Sequence, residues 1–378
     1  MAIRAVPLRS ACLAAALSSA AWMGLVACSG PADSSDNGSA DLSDDKAKKD
    51  AGKDAAPDAG KDAAADAGKD GSSGDASPPS SGALTLLTEP DDGFTAIYAL
   101  VSSAKSTIDL TMYELEDTTM TTALTTAAKN GVTVRVILDQ NEEKSNNTSA
   151  YTKLTAGGVS VHWANPTYTV THQKTLTIDG TTSAIMTLNL TSGYYSTTRD
   201  FAVITSDAND VAAIETTFAA DFTNASVTPP TGDDLVWSPT NSQTSLVDII
   251  AGAKDTLLVE NEEMEYATIV DALTAAAKRG VDVEVIMTAS SSYTSEFKEL
   301  LAAGVKLSTY ASTASLYIHA KVIVADGTSA FVGSENFSTT SLNKNRELGL
   351  ITTNATIVSS LGKTLASDYA GATPYVIE

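Results

Sequence analysis

The chain has 378 residues, 43% of them hydrophobic, enough for two cores of ordinary domain size. Its 24 Lys and Arg against 46 Asp and Glu give a formal charge of −22. That argues against a protein built to grip nucleic-acid backbones, because a basic surface supplies most of that affinity. The only cysteines are Cys12 and Cys28 and the only histidines His162, His172 and His319. A disulfide framework or a cysteine metal site is thus excluded from the body, and imidazole chemistry must draw on these three rings.

Residues 1–28 open with Arg4 and Arg9, continue with a short Ala-rich apolar stretch and end in Leu25-Val26-Ala27-Cys28. The apolar part is too short and too interrupted for a spanning helix and reads as a secretory signal. Its end resembles the lipobox of bacterial lipoproteins. The resemblance implies cleavage before Cys28, a diacylglyceryl group on its thiol, and an exported lipoprotein on the outer membrane or cell surface. Residues 29–82 hold almost no large apolar side chain and repeat Asp-Ala-Gly-Lys-Asp from Asp50, Asp58 and Asp66. Such a segment cannot bury enough surface to offset chain entropy. It reads as a flexible tether spanning on the order of 40 Å.

The body is a duplication offset by about 147 residues. Ala123 to Gly131 followed by VTVRVILD is matched by Ala272 to Gly280 followed by VDVEVIMT. Each reads as an amphipathic helix stopped at Gly, then a strand of alternating apolar residues. Tyr151 to Val161 is matched in the same way by Phe297 to Leu307. Strands alternating with helices predict two α/β lobes, 83–228 and 229–378, meeting in the Pro-Gly-acidic segment VTPPTGDD near Val227 to Asp234.

A chemical motif recurs at matched places. His172-Gln173-Lys174 with Asp179, and His319-Ala320-Lys321 with Asp326, spell HxKxxxxD twice. A spacing of two on a strand puts an imidazole and an ammonium on one face, an anion site with a nucleophile or proton donor built in. The second copy continues to Gly333-Ser334-Glu335-Asn336 and Glu347. The first continues to Met186-Thr187-Leu188-Asn189 and Asp200. Both carboxylates follow their own histidine by 28 residues.

These residues resemble the phospholipase D superfamily, whose signature is HxKxxxxD followed by GSxN, present twice in two-lobed members. The likeness covers nearly all of residues 84–378. It implies two lobes, each a mostly mixed β-sheet flanked by helices, with one active site at the lobe interface. It further implies a histidine that attacks phosphorus and one that protonates the leaving alcohol and then activates water, by position His172 and His319. Lys174 and Lys321 would hold the phosphoryl oxygens, with Asn189, Asn336, Ser334 and Thr187 binding or supporting. Asp200 and Glu347 would orient the rings, and Asp179 and Asp326 complete the motif, grouped with the catalytic residues but read as supporting the fold around it. No metal or other cofactor is implied. Met186 is a departure, a bulky side chain where the family shows Gly, and leaves the shape of that half of the site open.

The resulting expectation is a monomeric phosphodiesterase of the phospholipase D type, hydrolysing the headgroup ester of a glycerophospholipid at a membrane surface. The alternatives are a nuclease of the same superfamily, a phosphatidyltransferase resembling cardiolipin synthases, and an inactive surface-binding lipoprotein. From residue 83 onward 16 basic residues face 34 acidic ones, a field unfavourable to nucleic acid. The acidic run Glu260, Glu262, Glu263 and Glu265 reads as a solvated helix start, or else as a selector of a cationic headgroup. His162, Trp163, Tyr168, Tyr194 and Tyr195 read as packing residues.

Overall fold

The computed structural model describes residues 83–377. The expected signal segment 1–28, Cys28 and the tether 29–82 lie outside the described residues.

The first lobe runs β1 (Leu84–Glu89), α1 (Thr95–Ser103), β2 (Thr107–Met112), α2 (Thr118–Lys129), β3 (Thr133–Leu138), α3 (Lys144–Ala156), β4 (Ser160–Trp163), β5 (Thr175–Ile178), β6 (Thr182–Met186), β7 (Thr198–Thr205) and α4 (Ala208–Phe222). The second repeats it with β8 (Leu235–Ser238), α5 (Ser242–Gly252), β9 (Thr256–Glu260), α6 (Ala267–Lys278), β10 (Asp282–Thr288), α7 (Thr294–Ala302), β11 (Lys306–Tyr310), β12 (Tyr317–Ile318), β13 (Val322–Ala325), β14 (Ser329–Gly333), α8 (Thr339–Asn343), β15 (Glu347–Thr352), α9 (Ala355–Gly371) and β16 (Thr373–Pro374). The helix–Gly–strand units stand where the repeat predicts. Asp117 accepts hydrogen bonds from Thr119 and Met120 to start α2, and Gly131 and Gly280, at φ 92° and 94°, turn the chain from α2 and α6 into the following strands.

Each lobe has one mixed sheet. The first is ordered β1-β7-β6-β5-β2-β3-β4, the second β16-β11-β10-β9-β13-β14-β15-β8. Pairing is parallel from β2 through β3 to β4, and from β9 through β10 to β11, where helices make the crossovers. It is antiparallel where hairpins suffice, as in β5–β6 and β13–β14. Those two hairpins turn on Asp179-Gly180 and Asp326-Gly327, all at positive φ (54°, 62°, 53° and 61°), the conformation a tight Asp-Gly hairpin turn requires.

The lobes also trade backbone. Strand β12 of the second lobe pairs in parallel with the start of β7 in the first, Tyr317 opposite Thr198 and Ile318 opposite Arg199. Reciprocally, Thr171 bridges to Arg346. Behind these strands lies a core drawn from both lobes, with Ile185, Phe201 and Val203 packed among Trp237, Ile318, Val322, Leu348 and Leu361. At roughly 1.5–3 kcal/mol for each large side chain buried, this shared core holds the lobes together firmly. Among the described residues no helix is long and apolar enough to cross a membrane.

The departure at Met186 is resolved by packing. Met186 is fully buried in the first lobe's own core and leaves the cleft unobstructed. At the corresponding place a Cβ on Gly333 would come within 2.3 Å of Glu335 and 2.5 Å of the Gly349 backbone, because the Phe331 ring fills the space there. The first lobe has Ala184 opposite Leu176 in β5 and Ala202 opposite Met186, so one methionine replaces one phenylalanine and the volume is kept.

Candidate active site

The two histidines stand in the extended lead-ins to β5 and β13, just ahead of the strands themselves. The lead-ins are held by the opposite lobe. The His172 and Gln173 amides both donate to the Arg346 carbonyl, at 3.0 Å, and the His319 amide donates to the Arg199 carbonyl at 3.3 Å. Arg346 and Arg199 each immediately precede a carboxylate, so the strand exchange delivers each carboxylate to the other lobe's histidine. His172 Nδ1 lies 2.9 Å from Glu347 Oε2 and 3.1 Å from the Ser334 carbonyl, and His319 Nδ1 lies 2.8 Å from Asp200 Oδ1. The equal 28-residue spacings invite pairing each histidine with its own lobe's carboxylate, but the fold crosses them.

The protonation pattern follows. Burial opposes ionisation of Asp200 and Glu347, but the facing imidazoles outweigh it and hold both below the usual carboxylate range. An ionised carboxylate only accepts, so each Nδ1 carries the proton and each Nε2 is turned outward. Burial, and the Lys174 ammonium next, push His172 down, which keeps its Nε2 lone pair free. The side chains remain 11% and 13% exposed, enough for a substrate atom to reach the outward nitrogens.

Lys174 and Lys321 are fully buried, and each ammonium donates to the carbonyl of its own histidine, Lys174 at 2.6 Å. Burial and then the charge of Lys321 pull Lys174 down to about 7. A cation lowered in this way is stabilised when an anion arrives, which makes Lys174 an anion site. Asn189 and Asn336 stand beside them, their side-chain Nδ2 groups 3.5 Å from Glu114 and Glu262 and both Oδ1 atoms buried without a partner.

The remaining motif residues act at one remove or elsewhere. The Thr187 hydroxyl donates to Asp200 at 2.5 Å and accepts from the Phe201 amide, and the Ser334 hydroxyl accepts from the Leu348 amide. Both brace strands β7 and β15 from within, and the Thr187 hydroxyl, already donating to Asp200, has no proton left to give a phosphate. Asp179 and Asp326, grouped with the catalytic set by their place in the motif, stand apart from it and support the fold. They occupy the hairpin turns at the far end of strands β5 and β13, about 16 Å along the strand from the lysines. There Asp179 accepts from the Lys105, Ser106 and Thr107 amides, and Asp326 from those of Lys254, Asp255 and Thr256. These backbone donors hold both carboxyls below their ordinary value against the burial that raises them. They anchor the starts of β2 and β9.

One site residue was misread from the sequence. Glu262 follows β9, with α6 beginning only at Ala267, so it faces the cleft instead of capping a helix. Its Oε2 lies 3.0 Å from Lys321 Nζ and 3.5 Å from His319 Nε2, and its Oε1 accepts from Tyr317 Oη at 3.1 Å. Burial opposes its ionisation, but Lys321 and His319 hold it far below the usual carboxylate range. The only sequence signal was its place ahead of a helix that matches α2. His162 and the flanking aromatics do pack: His162 stacks on Phe222, Trp163 on Tyr151 and Tyr195 on Phe94, and Tyr168 bonds Arg346, while Tyr194 stays exposed.

Residues 97–222 and 246–369 both match the family model described as "Cardiolipin synthase, PLD-like domain". The chain belongs to the phospholipase D superfamily. Within the superfamily it is 25% identical over 342 residues to the major cardiolipin synthase ClsA of Bacillus subtilis (strain 168), covering 76% of this chain and 68% of that one. Its fold is similar to the phosphatidylserine synthase of Haemophilus influenzae Rd KW20, with a TM-score of 0.61 at 12% identity, covering 77% of this chain and 87% of that one. It is also similar to the polyphosphate kinase of Porphyromonas gingivalis, with a TM-score of 0.60 at 15% identity, covering 76% of this chain and only half of that one. As a phospholipase D-like enzyme the protein is built for phosphodiester chemistry.

Proposed function

We propose that the protein transfers a phosphatidyl group from a glycerophospholipid to an alcohol through a histidine-bound intermediate. The reading rests on one observation above all: two imidazoles, each oriented through Nδ1 by the other lobe's carboxylate, each with a fully buried lysine bonded to its carbonyl. His172 Nε2 attacks phosphorus, the P–N bond forms and the P–O bond to the headgroup alcohol breaks. His319 gives that oxygen its proton, while Lys174 takes the charge on the phosphoryl oxygens, with Lys321, already held by Glu262, behind it. In the second half His319 takes the proton of the incoming alcohol, whose oxygen attacks phosphorus. The P–N bond then breaks and its electron pair returns to His172. The similarity to a cardiolipin synthase supports an alcohol in place of water as acceptor, and the acidic body disfavours a nucleic-acid substrate. In this reading Cys28 carries the lipid that keeps the enzyme at its substrate's surface.

The test is product analysis by mass spectrometry after incubation with phosphatidylglycerol in mixed micelles. Diphosphatidylglycerol and free glycerol are expected, and neither should appear with His172→Ala. Phosphatidic acid as sole lipid product would restore the hydrolase reading. Cleavage of DNA with lipids inert would replace both.

A further inference from the structure

The two half-sites are not copies at one position. Leu115 bridges Leu190, the residue after Asn189, and Met264 bridges Phe337, the residue after Asn336, so Tyr113 and Glu262, each two residues earlier, hold matching places. Tyr113 lays its ring edgewise on His172 with centroids 4.7 Å apart, under Lys174 Nζ at 4.9 Å, and donates its hydroxyl to Glu142. In the first half-site the ammonium therefore lies against an aromatic face, with no carboxylate paired directly to it. In the second, the Glu262 carboxylate sits on Lys321 and beside His319 Nε2. A phosphoryl oxygen is welcome in the first and repelled in the second.

What the second half-site lacks is hydrogen-bond donors. Asn336 is only 6% exposed and its Oδ1 has no partner. Turning the amide would set that oxygen against the Glu262 carboxylate, so the orientation with Nδ2 toward Glu262 is the favourable one, and the orphan acceptor stays. An ionised carboxylate and an unsatisfied amide oxygen beside the proton-transferring His319 are chemistry for a ligand that brings N–H or O–H groups.

We propose that Glu262, with Asn336, reads the alcohol: it binds a second hydroxyl or an ammonium on the alcohol that leaves and on the one that enters. The favoured partners are polyols and amino alcohols over monohydric ones. This rests on the phosphodiester exchange proposed above. The alcohol's reacting oxygen meets His319 while its neighbouring donor meets Glu262, and the phosphoryl oxygens stay on the Lys174 side.

The experiment compares wild type, Glu262→Gln and Glu262→Tyr, the last carrying the residue of the first lobe, all checked for unchanged melting. One arm measures the partition of the intermediate among glycerol, ethanolamine, 1-propanol and water, which depends on acceptor recognition and not on how fast the intermediate forms. The other measures kcat/KM for headgroup release from phosphatidylglycerol against phosphatidylpropanol. Wild type should prefer glycerol and ethanolamine to 1-propanol, and the preference should fall about tenfold or more in both variants, since a site built for a donor discriminates against its absence. Unchanged preferences in both arms would overturn the inference, and so would a higher rate without a change in preference, which would make Glu262 a resident anion competing with phosphate. If wild type yields only phosphatidic acid, the transfer reading fails, while the second arm still decides the role of Glu262.

Discussion

The two lobes share a framework down to the turn residues and part company at three matched places. Where the first has Tyr113, Met186 and Leu188, the second has Glu262, Gly333 and Glu335, and of these the Tyr113–Glu262 pair lies against the histidines. The repeat keeps what supports a strand, orients a ring or carries the motif, and varies in the walls around it. The Asp-Gly hairpins, the backbone-bonded aspartates, the lysine-to-carbonyl bonds and the exchanged strands belong to the first class. The aromatic and acidic walls belong to the second, and they make a pseudo-symmetric shell carry an asymmetric reaction.

The sharpest way to break this comparison is to remove each histidine. His172→Ala and His319→Ala should each lower turnover by about a thousandfold or more. They should differ in what accumulates. With a substrate whose leaving group needs no proton, His319→Ala should trap an acid-labile phosphoenzyme, visible by intact-mass measurement, and His172→Ala should not. Trapping on the opposite variant would reverse the assignment of the half-sites.

A second probe strikes the shared framework. Arg199 donates to Asp368 on α9 at 2.6 and 3.1 Å, and Arg346, almost wholly buried, donates to Asp221 on α4 at 3.2 Å. Each spans the lobes one residue before the crossing carboxylate. Arg346→Met should cost about 3–5 kcal/mol in urea denaturation, because it strands a buried carboxylate whose charge only the guanidinium offsets. A loss below about 1 kcal/mol would show that the shared apolar core alone aligns the lobes.

The smallest effect concerns Glu335, fully buried, both oxygens unpaired. Burial, then the neighbouring Glu347 charge, raise it well above the ordinary carboxylate value. A raised acid contributes stability that is intact below the unfolded pKa near 4.3 and is lost as pH climbs toward the folded one. Glu335→Leu, copying Leu188, should therefore stabilise the protein by about 1–3 kcal/mol at neutral pH and by much less at pH 4. Thermal melts at the two pH values give the comparison, and equal shifts at both would point to packing instead of ionisation.

The lobes, their sheets and the catalytic pairs were legible because each was written twice: Gly131 and Gly280, His172 and His319, Asp200 and Glu347. Repetition cannot say which copy a residue serves, so the crossing of the carboxylates was invisible. It depends on two-residue strand β12 and the single bridge at Thr171, pairings between lobes that no local pattern announces. Glu262 was hidden for another reason. A run of glutamates before a helix has the same appearance whether the carboxylates meet solvent or turn back onto a lysine. Asp179 and Asp326 misled in the opposite direction, since membership of a chemical motif looked like chemistry, while the Asp-Gly pair already carried the hairpin reading.

The exchange of carboxylates also sets an order of events in synthesis. A ribosome completes His172 long before it reaches Glu347, so for the next 175 residues of synthesis the imidazole has no partner for its Nδ1 and its tautomer is undecided. The active centre is thus assembled only once Glu347 has emerged and folded back. A truncated product carries an intact motif and an idle ring.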